Sequence, residues 1–536
     1  SVTFLNSHLK EIGKSAFYGT GLQSIILPDG LLRIGDEAFR ESTLMEIQIP
    51  RDCTEIGRGA FWGTLIKEFR VASENQAFAA GEDGVLFSKD GKRLILYPNG
   101  RNARIYAVPL GVERIEENAF YGEPNLEEVT FPESLRDFGD SAFYGLPNLK
   151  RLVLPEGLED ITGTSVFCKC EGLEELKLPS TLRDISGRSV FSSTGITELI
   201  LPEHMGDITG EYVFYGCPKL KEVIFPDNMK IISGSFLFSD CPLLSDVVFP
   251  EKLEAITGSS ILSGTGLESV TFPTSLKELG DSTFASCASL KEVQLPEGLQ
   301  ILGDESFRNC TLLQSIALPE KLESIGAGAF MDCSSLEEIH ISNGVKQIGN
   351  RCFLGCEMLS EVTLPESLES LGSYAFCETD ITELQIPASL AYFGNLPIGG
   401  KQTFYPTGVV WVYDTEHAYT LYFAGDMPEW EPNPIPNLPS TCCYFPRENS
   451  TWTENLRNLL DGLTTYRIRW LATDVTLPES LELIAGFGKQ LTAQVRPADD
   501  PNLALTWTSS DETVVQVDEA GMCTGIAPGT AVITAS

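Results

Sequence analysis

Two interlocked residue ladders constrain what this 536-residue chain can fold into. Proline ends an apolar-x-apolar triplet at Pro28, Pro50, Pro109, Pro132, Pro155, Pro179, Pro202, Pro226, Pro250, Pro273, Pro296, Pro319, Pro365 and Pro387. Apart from two long gaps the steps are 22 to 24 residues; a gap of 46 is two periods with Ser342 in the proline's place, and one of 59 holds an insertion. Phenylalanine keeps the same beat at Phe17, Phe39, Phe61, Phe120, Phe143, Phe167, Phe191, Phe214, Phe238, Phe284, Phe307, Phe330, Phe353 and Phe376, with Leu262 filling one gap. A period of this length marks a solenoid, whose units bury their apolar faces only against their neighbours.

The unit from Leu290 to Cys310, LKEVQLPEGLQILGDESFRNC, shows how. Val293 and Leu295 alternate with Glu292 and Gln294, the period of a half-buried strand, and Pro296 stops it. Leu299 and Leu302 supply a second buried pair, Gly303 is read as a tight turn, Phe307 enters the core and Cys310 closes the coil. Stacked about 4.8 Å apart, such units predict parallel β-sheets, turns and short 3-10 segments wound into a right-handed curved rod. The solenoid is expected over residues 1–392, with a hairpin insertion near 71–108.

Two departures carry information. From Gly84 to Pro98 two apolar runs flank Asp90-Gly91, which predicts a hairpin standing as a flap on the rod. In five successive units Ile-Gly becomes Ile-Thr-Gly or Ile-Ser-Gly, from Ile161–Gly163 to Ile256–Gly258, which predicts a bulge. Past Tyr392 the period fades and five of the six tryptophans gather. Residues 393–472 are read as irregular last coils and a cap, with a short helix after Ser450, and 473–536 as a small antiparallel sandwich.

Charge narrows the partners. With 75 acidic and 38 basic residues the net charge is −37, a field that repels nucleic acid and anionic lipid. No apolar run of about 18 residues is present to span a membrane as a helix. Ser1 opens on a folded-looking segment, so the signal of an exported protein would already have been removed.

Catalytic signatures are missing. The four histidines form no H-E-x-x-H, and there is no G-x-S-x-G, Walker loop or G-x-G-x-x-G, so no catalytic residue, metal ligand or cofactor site is assigned. Cys170, Cys217, Cys241, Cys287, Cys310, Cys333 and Cys356 each follow the unit's Phe by three residues, a slot filled by Thr or Ser in other units. They are read as small buried thiols.

The outward strand positions hold the candidate site. An acidic column including Glu175, Glu198, Glu222 and Asp246 reads by itself as a solvated face that deters edge pairing. Two residues further along each strand stand Val153, Lys177, Ile200, Ile224 and Val248, where later units carry Thr271, Gln294 and Ala317. Aliphatic side chains gathered on an exposed sheet predict a partner-binding patch, although strand propensity alone also favours Val and Ile. A second outward column, Tyr18, Trp62, Tyr121, Tyr144 and Tyr215, either stacks on sugars or covers the core's flank.

The unit L-x-E-V-x-L-P-x-x-L-x-x-I-G-x-x-A-F-x-x-C resembles the leucine-rich repeats of the BspA-like (Treponema-type) family. The segment Asn449 to Trp470 looks like the closing segment seen after such arrays, and Thr473 to Ser536 is similar to bacterial immunoglobulin-like domains of group 2, lacking their last strand. The resemblance implies a non-enzymatic, extracellular protein, cell-surface or secreted, acting in adhesion through a protein ligand. A carbohydrate-binding or stalk module of a larger surface protein is the alternative. Because the array opens mid-unit, the chain is expected to be part of a longer protein whose anchor lies elsewhere.

Overall fold

Short parallel strands recur once per repeat in two columns because each repeat offers two places where one apolar residue turns inward between polar neighbours. The computed structural model describes residues 2, 4 and 8–394, the strand segments and a few adjoining residues between 401 and 496, and residues 507–518, 522–527 and 531–535. Two units divide the chain, Ser1–Ile339 and His340–Ser536.

In Ser1–Ile339 the first column consists of three-residue strands such as Glu128–Thr130, Ser269–Thr271 and Glu292–Gln294, each with its middle side chain buried. The second consists of two-residue strands such as Ala255–Ile256, Glu278–Leu279 and Ile301–Leu302. Pairing is parallel, and each residue faces its counterpart one repeat on, as Val270 faces Val293 and Leu279 faces Leu302. The proline ends the first strand, and its carbonyl accepts the N–H three residues later, Leu299 N to Pro296 O at 3.0 Å. Between the columns the phenylalanine ladder is a stack of near-parallel rings: Phe167, Phe191, Phe214 and Phe238 follow one another with centroids 5.2, 5.3 and 5.5 Å apart.

The tight turn expected at Gly303 is placed differently. The left-handed residues of that repeat are Glu305 (φ 54°) and Asn309 (φ 58°), whose N–H groups donate along the stack to Ala327 O and Met331 O, both at 2.7 Å. Gly303 is needed for room instead, since a Cβ there would lie 2.7 Å from the backbone nitrogen of Asp281. Each left-handed non-glycine residue costs about 1 kcal/mol, offset here by a hydrogen bond that would otherwise be missing.

In most repeats the Cys/Thr slot holds a small side chain that can also donate, although Leu146 fills it after Phe143. Cys310 Sγ donates to Phe284 O at 3.2 Å and Cys333 Sγ to Phe307 O at 3.0 Å, while Thr194 Oγ1 donates to Phe191 O at 2.9 Å. These cysteines carry buried free thiols, and burial pushes Cys333 up to about 12.

The five Thr/Ser-Gly repeats do not share one bulge. Second-column strands are present at Ile231–Ile232 and Ala255–Ile256, whereas the aspartate of the preceding repeats makes only the isolated bridge Asp160↔Asp184. There the aspartate carboxylate bridges two turns: Asp160 accepts from Ser186 N and Oγ at 3.1 and 2.8 Å, and Asp184 from Thr209 N and Oγ1 at 2.9 and 2.6 Å. The inserted hydroxyl residue thus exchanges strand pairing for a side-chain clamp. The glycine beside it packs against backbone: a Cβ on Gly210 would lie 2.7 Å from Ile185 O and closer still to Gly187 O. Gly210→Ala is therefore expected to destabilise the chain by about 2 to 3 kcal/mol, the range for overpacking a site that backbone cannot vacate, read as a lowered urea midpoint.

The insertion contains the expected hairpin, but it is no flap. Leu86–Ser88 pairs antiparallel with Arg93–Leu96 around Asp90-Gly91, Gly91 having φ 72°. Its returning strand then joins the second column, Arg93 facing Arg114 and Leu94 facing Ile115 in parallel. Tyr97 takes the phenylalanine's place, buried and stacked on Phe120 at 4.8 Å. The apolar Leu94 and Tyr97 bury best inside the wall, which explains why the segment is absorbed into it.

In His340–Ser536 the two-residue strands Gln347–Ile348, Ser370–Leu371 and Tyr392–Phe393 pair in parallel, and Tyr392–Phe393 pairs onward with Glu429–Trp430. Glu383–Ile386, Thr420–Phe423, Cys442–Phe445 and Arg467–Trp470 form a second parallel sheet, and Lys401–Tyr405 pairs antiparallel with Gly408–Val412. The helix expected after Ser450 lies outside the described residues. The last stretch is antiparallel, Trp507–Ser509 with Ile533–Ala535 and Val515–Val517 with Met522–Gly525.

Candidate functional site: the exposed strand face

Alternation places two side chains of a first-column strand such as Glu198–Ile200 outside and one inside, so a parallel stack turns sequence positions into stripes. In one three-stranded sheet Glu198 faces Glu222 and Glu222 faces Asp246, while Ile200 faces Ile224 and Ile224 faces Val248. Leu199 and Val223 anchor the sheet from beneath with 1% and 0% exposure. Ile200 is 62% and Val248 46% exposed, and Ile224 is half-buried between them.

The remaining predicted residues sit in a neighbouring four-stranded sheet, where Arg151 faces Glu175 and Val153 faces Lys177. The structure thus gathers Ile200, Ile224, Val248, Glu198, Glu222 and Asp246 on one hydrogen-bonded sheet, while Val153, Glu175 and Lys177 belong to the next, whose strand Glu175–Lys177 lies beside Glu198–Ile200 without regular backbone pairing. The electrostatics differ too. Arg151 Nε lies 2.9 Å from Glu175, and Arg70 reaches Glu68 at 2.6 Å and Glu46 at 3.9 Å. Lys150 and Lys291, which flank the column in sequence, turn instead to Glu127 and Glu268. Among the described residues Glu198, Glu222 and Asp246 form no ion pair, although they stand one strand spacing apart. An acidic stripe without countercharge therefore runs beside an aliphatic stripe.

Trp62, Tyr121 and Tyr144 of the aromatic column form a closed stack, while Tyr18 donates to Glu41 and Tyr215 to Asp240. Trp62 lies on Tyr121 at 4.2 Å and Tyr121 on Tyr144 at 4.9 Å, and the ends are capped by Arg40 over Trp62 and Lys169 over Tyr144, both at 5.4 Å. Both faces of Trp62 and Tyr121 are covered by neighbours, so neither ring offers a platform to a sugar.

One group breaks the pattern of its column. Glu123 occupies the Cys/Thr slot three residues after Phe120 and is wholly buried. Asn125 donates to Glu123 Oε1 from its backbone and side chain at 3.0 and 3.1 Å, while Oε2 and the hydroxyl of Tyr97 are buried with no hydrogen-bond partner among the described residues. Burial pushes the Glu123 carboxyl up to about 7 against the pull of those two bonds, and Tyr97 up to about 12. Its signal was the slot itself: a carboxylate where most other repeats hold Cys, Thr or Ser. Among the described residues no group of three or more His, Cys, Asp or Glu could hold a metal ion, and no helix is long and apolar enough to cross a membrane.

Two strand columns over a continuous apolar core define a leucine-rich repeat solenoid. The chain belongs to the family described as the BspA type leucine rich repeat region, which matches residues 1–81, 99–211, 207–331 and 277–397. Residues 472–536 match the bacterial Ig-like domain of group 2. Among solved structures, a leucine-rich repeat protein from Bacteroides ovatus is 29% identical, with 67% of this chain and 83% of that one covered at a TM-score of 0.43. The leucine-rich repeat protein of T. pallidum is 28% identical over 36% of this chain and 87% of that one, at a TM-score of 0.30. Two curated relatives match in part. An alpha-L-arabinofuranosidase of Bifidobacterium longum is 32% identical over 112 residues, 19% of this chain and 10% of that protein. A lacto-N-biosidase of Bifidobacterium bifidum is 49% identical over 57 residues, 11% of this chain and 5% of that protein. The chain thus spans a tenth or less of either curated relative.

Proposed function

We propose that this chain is the partner-binding part of a bacterial cell-surface or secreted protein, and that it holds a protein ligand by non-covalent contact, without catalysis. The observation that carries the reading is the in-register pair of stripes, Glu198, Glu222 and Asp246 beside Ile200, Ile224 and Val248, on the outer face and with no ion pair to the acids among the described residues. Clustered aliphatic side chains on a sheet cost hydration free energy that a partner's apolar surface recovers, and unpaired acids select which partner. Family membership and the immunoglobulin-like stretch support a place at the bacterial surface. The partial likeness to two much longer glycosidases supports a chain that serves as one segment of a larger protein.

Binding of the fluorescently labelled full chain to intact bacterial and animal cells tests this. Retention is expected to be destroyed by protease treatment of the cells and to fall at least about tenfold in Ile200→Ser/Ile224→Ser, with the thermal midpoint lowered by only a few degrees because Ile200 is exposed and Ile224 half-buried on the outer face. Retention that survives the double substitution, or that yields to glycosidases and not to protease, would remove the reading.

A further inference from the structure

The spacing of the two stripes carries the proposed reading one step further, to the shape of the partner. Along the stack the three strands repeat about every 4.8 Å, so each stripe presents three side chains over about 10 Å. Within a strand, Glu198 and Ile200 are two residues apart, which separates the stripes by about 6.7 Å. An α-helix lying along the stack repeats every 5.4 Å and covers about 11 Å in two turns, within side-chain reach of all three strands. An extended segment in the same direction repeats every 6.7 Å or so and overshoots by about 4 Å in the same two steps.

We infer that the Glu198–Glu222–Asp246 and Ile200–Ile224–Val248 stripes receive a basic amphipathic α-helix of a partner protein. This rests on the reading given under the proposed function. Its apolar residues, at i, i+4 and i+7, meet the aliphatic stripe. Its Lys or Arg residues, one position later and so about 100° round the helix, meet the acids about one stripe away. Charge complementarity is direct: the three acids form no ion pair among the described residues, and the chain's net charge of −37 draws a basic segment toward the surface. The flanking sheet is a poorer seat, because Lys177 interrupts its aliphatic row and Arg151 already holds Glu175.

The test uses the full chain and three labelled synthetic peptides of equal composition, read by fluorescence anisotropy. One peptide carries Leu at i, i+4, i+7 and i+11 with Lys one position later, one has the same residues scrambled, and one alternates Leu and Lys at strand spacing. The helical pattern is expected to bind at least about tenfold more tightly than either other peptide. That binding should weaken about tenfold in Ile200→Ser and in Glu222→Gln, and stay within about twofold in Glu292→Gln, an acid of the same column outside the patch. Equal binding of the scrambled peptide would reduce the effect to bulk charge and overturn the inference, as would preference for the strand pattern. Failure of the helical peptide, with cell retention still lost in Ile200→Ser/Ile224→Ser, would refute the helix alone. Failure of both would refute the patch as well.

Discussion

Raising the pH from about 4.5 to about 7 is expected to weaken the wall around Glu123 by about 3 kcal/mol, against the usual trend for a buried carboxylate that is paired. The ordinary value for this group is 4.5, and burial in the Cys/Thr slot raises it to about 7 in the folded chain. Between those values the folded state holds a proton that the unfolded chain has released, so stability falls as pH rises and levels off above the folded value. A rise from 4.5 to about 7 corresponds to about 3 kcal/mol, since each tenfold change in proton affinity is worth about 1.36 kcal/mol. The carboxyl shares its surroundings with Tyr97, Tyr106, Asp83 and Arg101; Arg101 lies 3.5 Å from Asp83 and 5.9 Å from the centre of the Tyr97 ring. Hydrogen exchange of the segment from Phe78 to Asn125 reads the effect. Protection should drop across this window in the native chain and stay level in Glu123→Gln, which keeps the acceptor for Asn125 and does not titrate. Parallel profiles for the two proteins would show that the carboxyl is ionised throughout.

Cutting the ring stack at its middle is expected to cost more than any surface change. Phe191 is wholly buried and lies flat between Phe167 and Phe214. Phe191→Ala should destabilise the chain by about 3 to 5 kcal/mol, since the cavity is walled by rings fixed one strand spacing away and collapses little. Phe191→Leu should cost only about 1 kcal/mol, because Leu262 fills the same place elsewhere in the stack. Phe17→Ala, at a half-buried ring stacked only on Phe39 among the described residues, should cost less than half as much as Phe191→Ala. Denaturant unfolding of the three variants checks the order, and equal losses at Phe17 and Phe191 would contradict it.

Periodicity made the solenoid legible, because a residue that repeats every 22 to 24 positions can satisfy its burial only against its own copy. The stripes were legible for the same reason: parallel register stacks position on position, so Glu198, Glu222 and Asp246 could be aligned from sequence alone. The interruption in pairing between Glu175–Lys177 and Glu198–Ile200 was hidden, since it is set by where backbone hydrogen bonds stop and leaves no mark in residue type. Tyr97 lies outside a ladder defined by Phe, although a tyrosine ring fills the same space. The aspartate clamps were hidden as well: Ile-Thr-Gly marks an added residue, but its hydroxyl partner lies one repeat away, at Asp184 for Thr209. Glu123 was the readable omission, a carboxylate in a slot already recognised as small and buried.

The claim that recognition runs through the Ile200, Ile224 and Val248 stripe is tested most directly by photocrosslinking. A benzophenone amino acid is placed at Ile200 or Ile224 in the full chain, and at Gln294 or Ala317 as outward positions of the same column elsewhere. After irradiation on intact cells, the same protease-sensitive adduct is expected from positions 200 and 224 and none from 294 and 317. Adducts of equal yield from all four positions, or from 294 and 317 alone, would contradict the account.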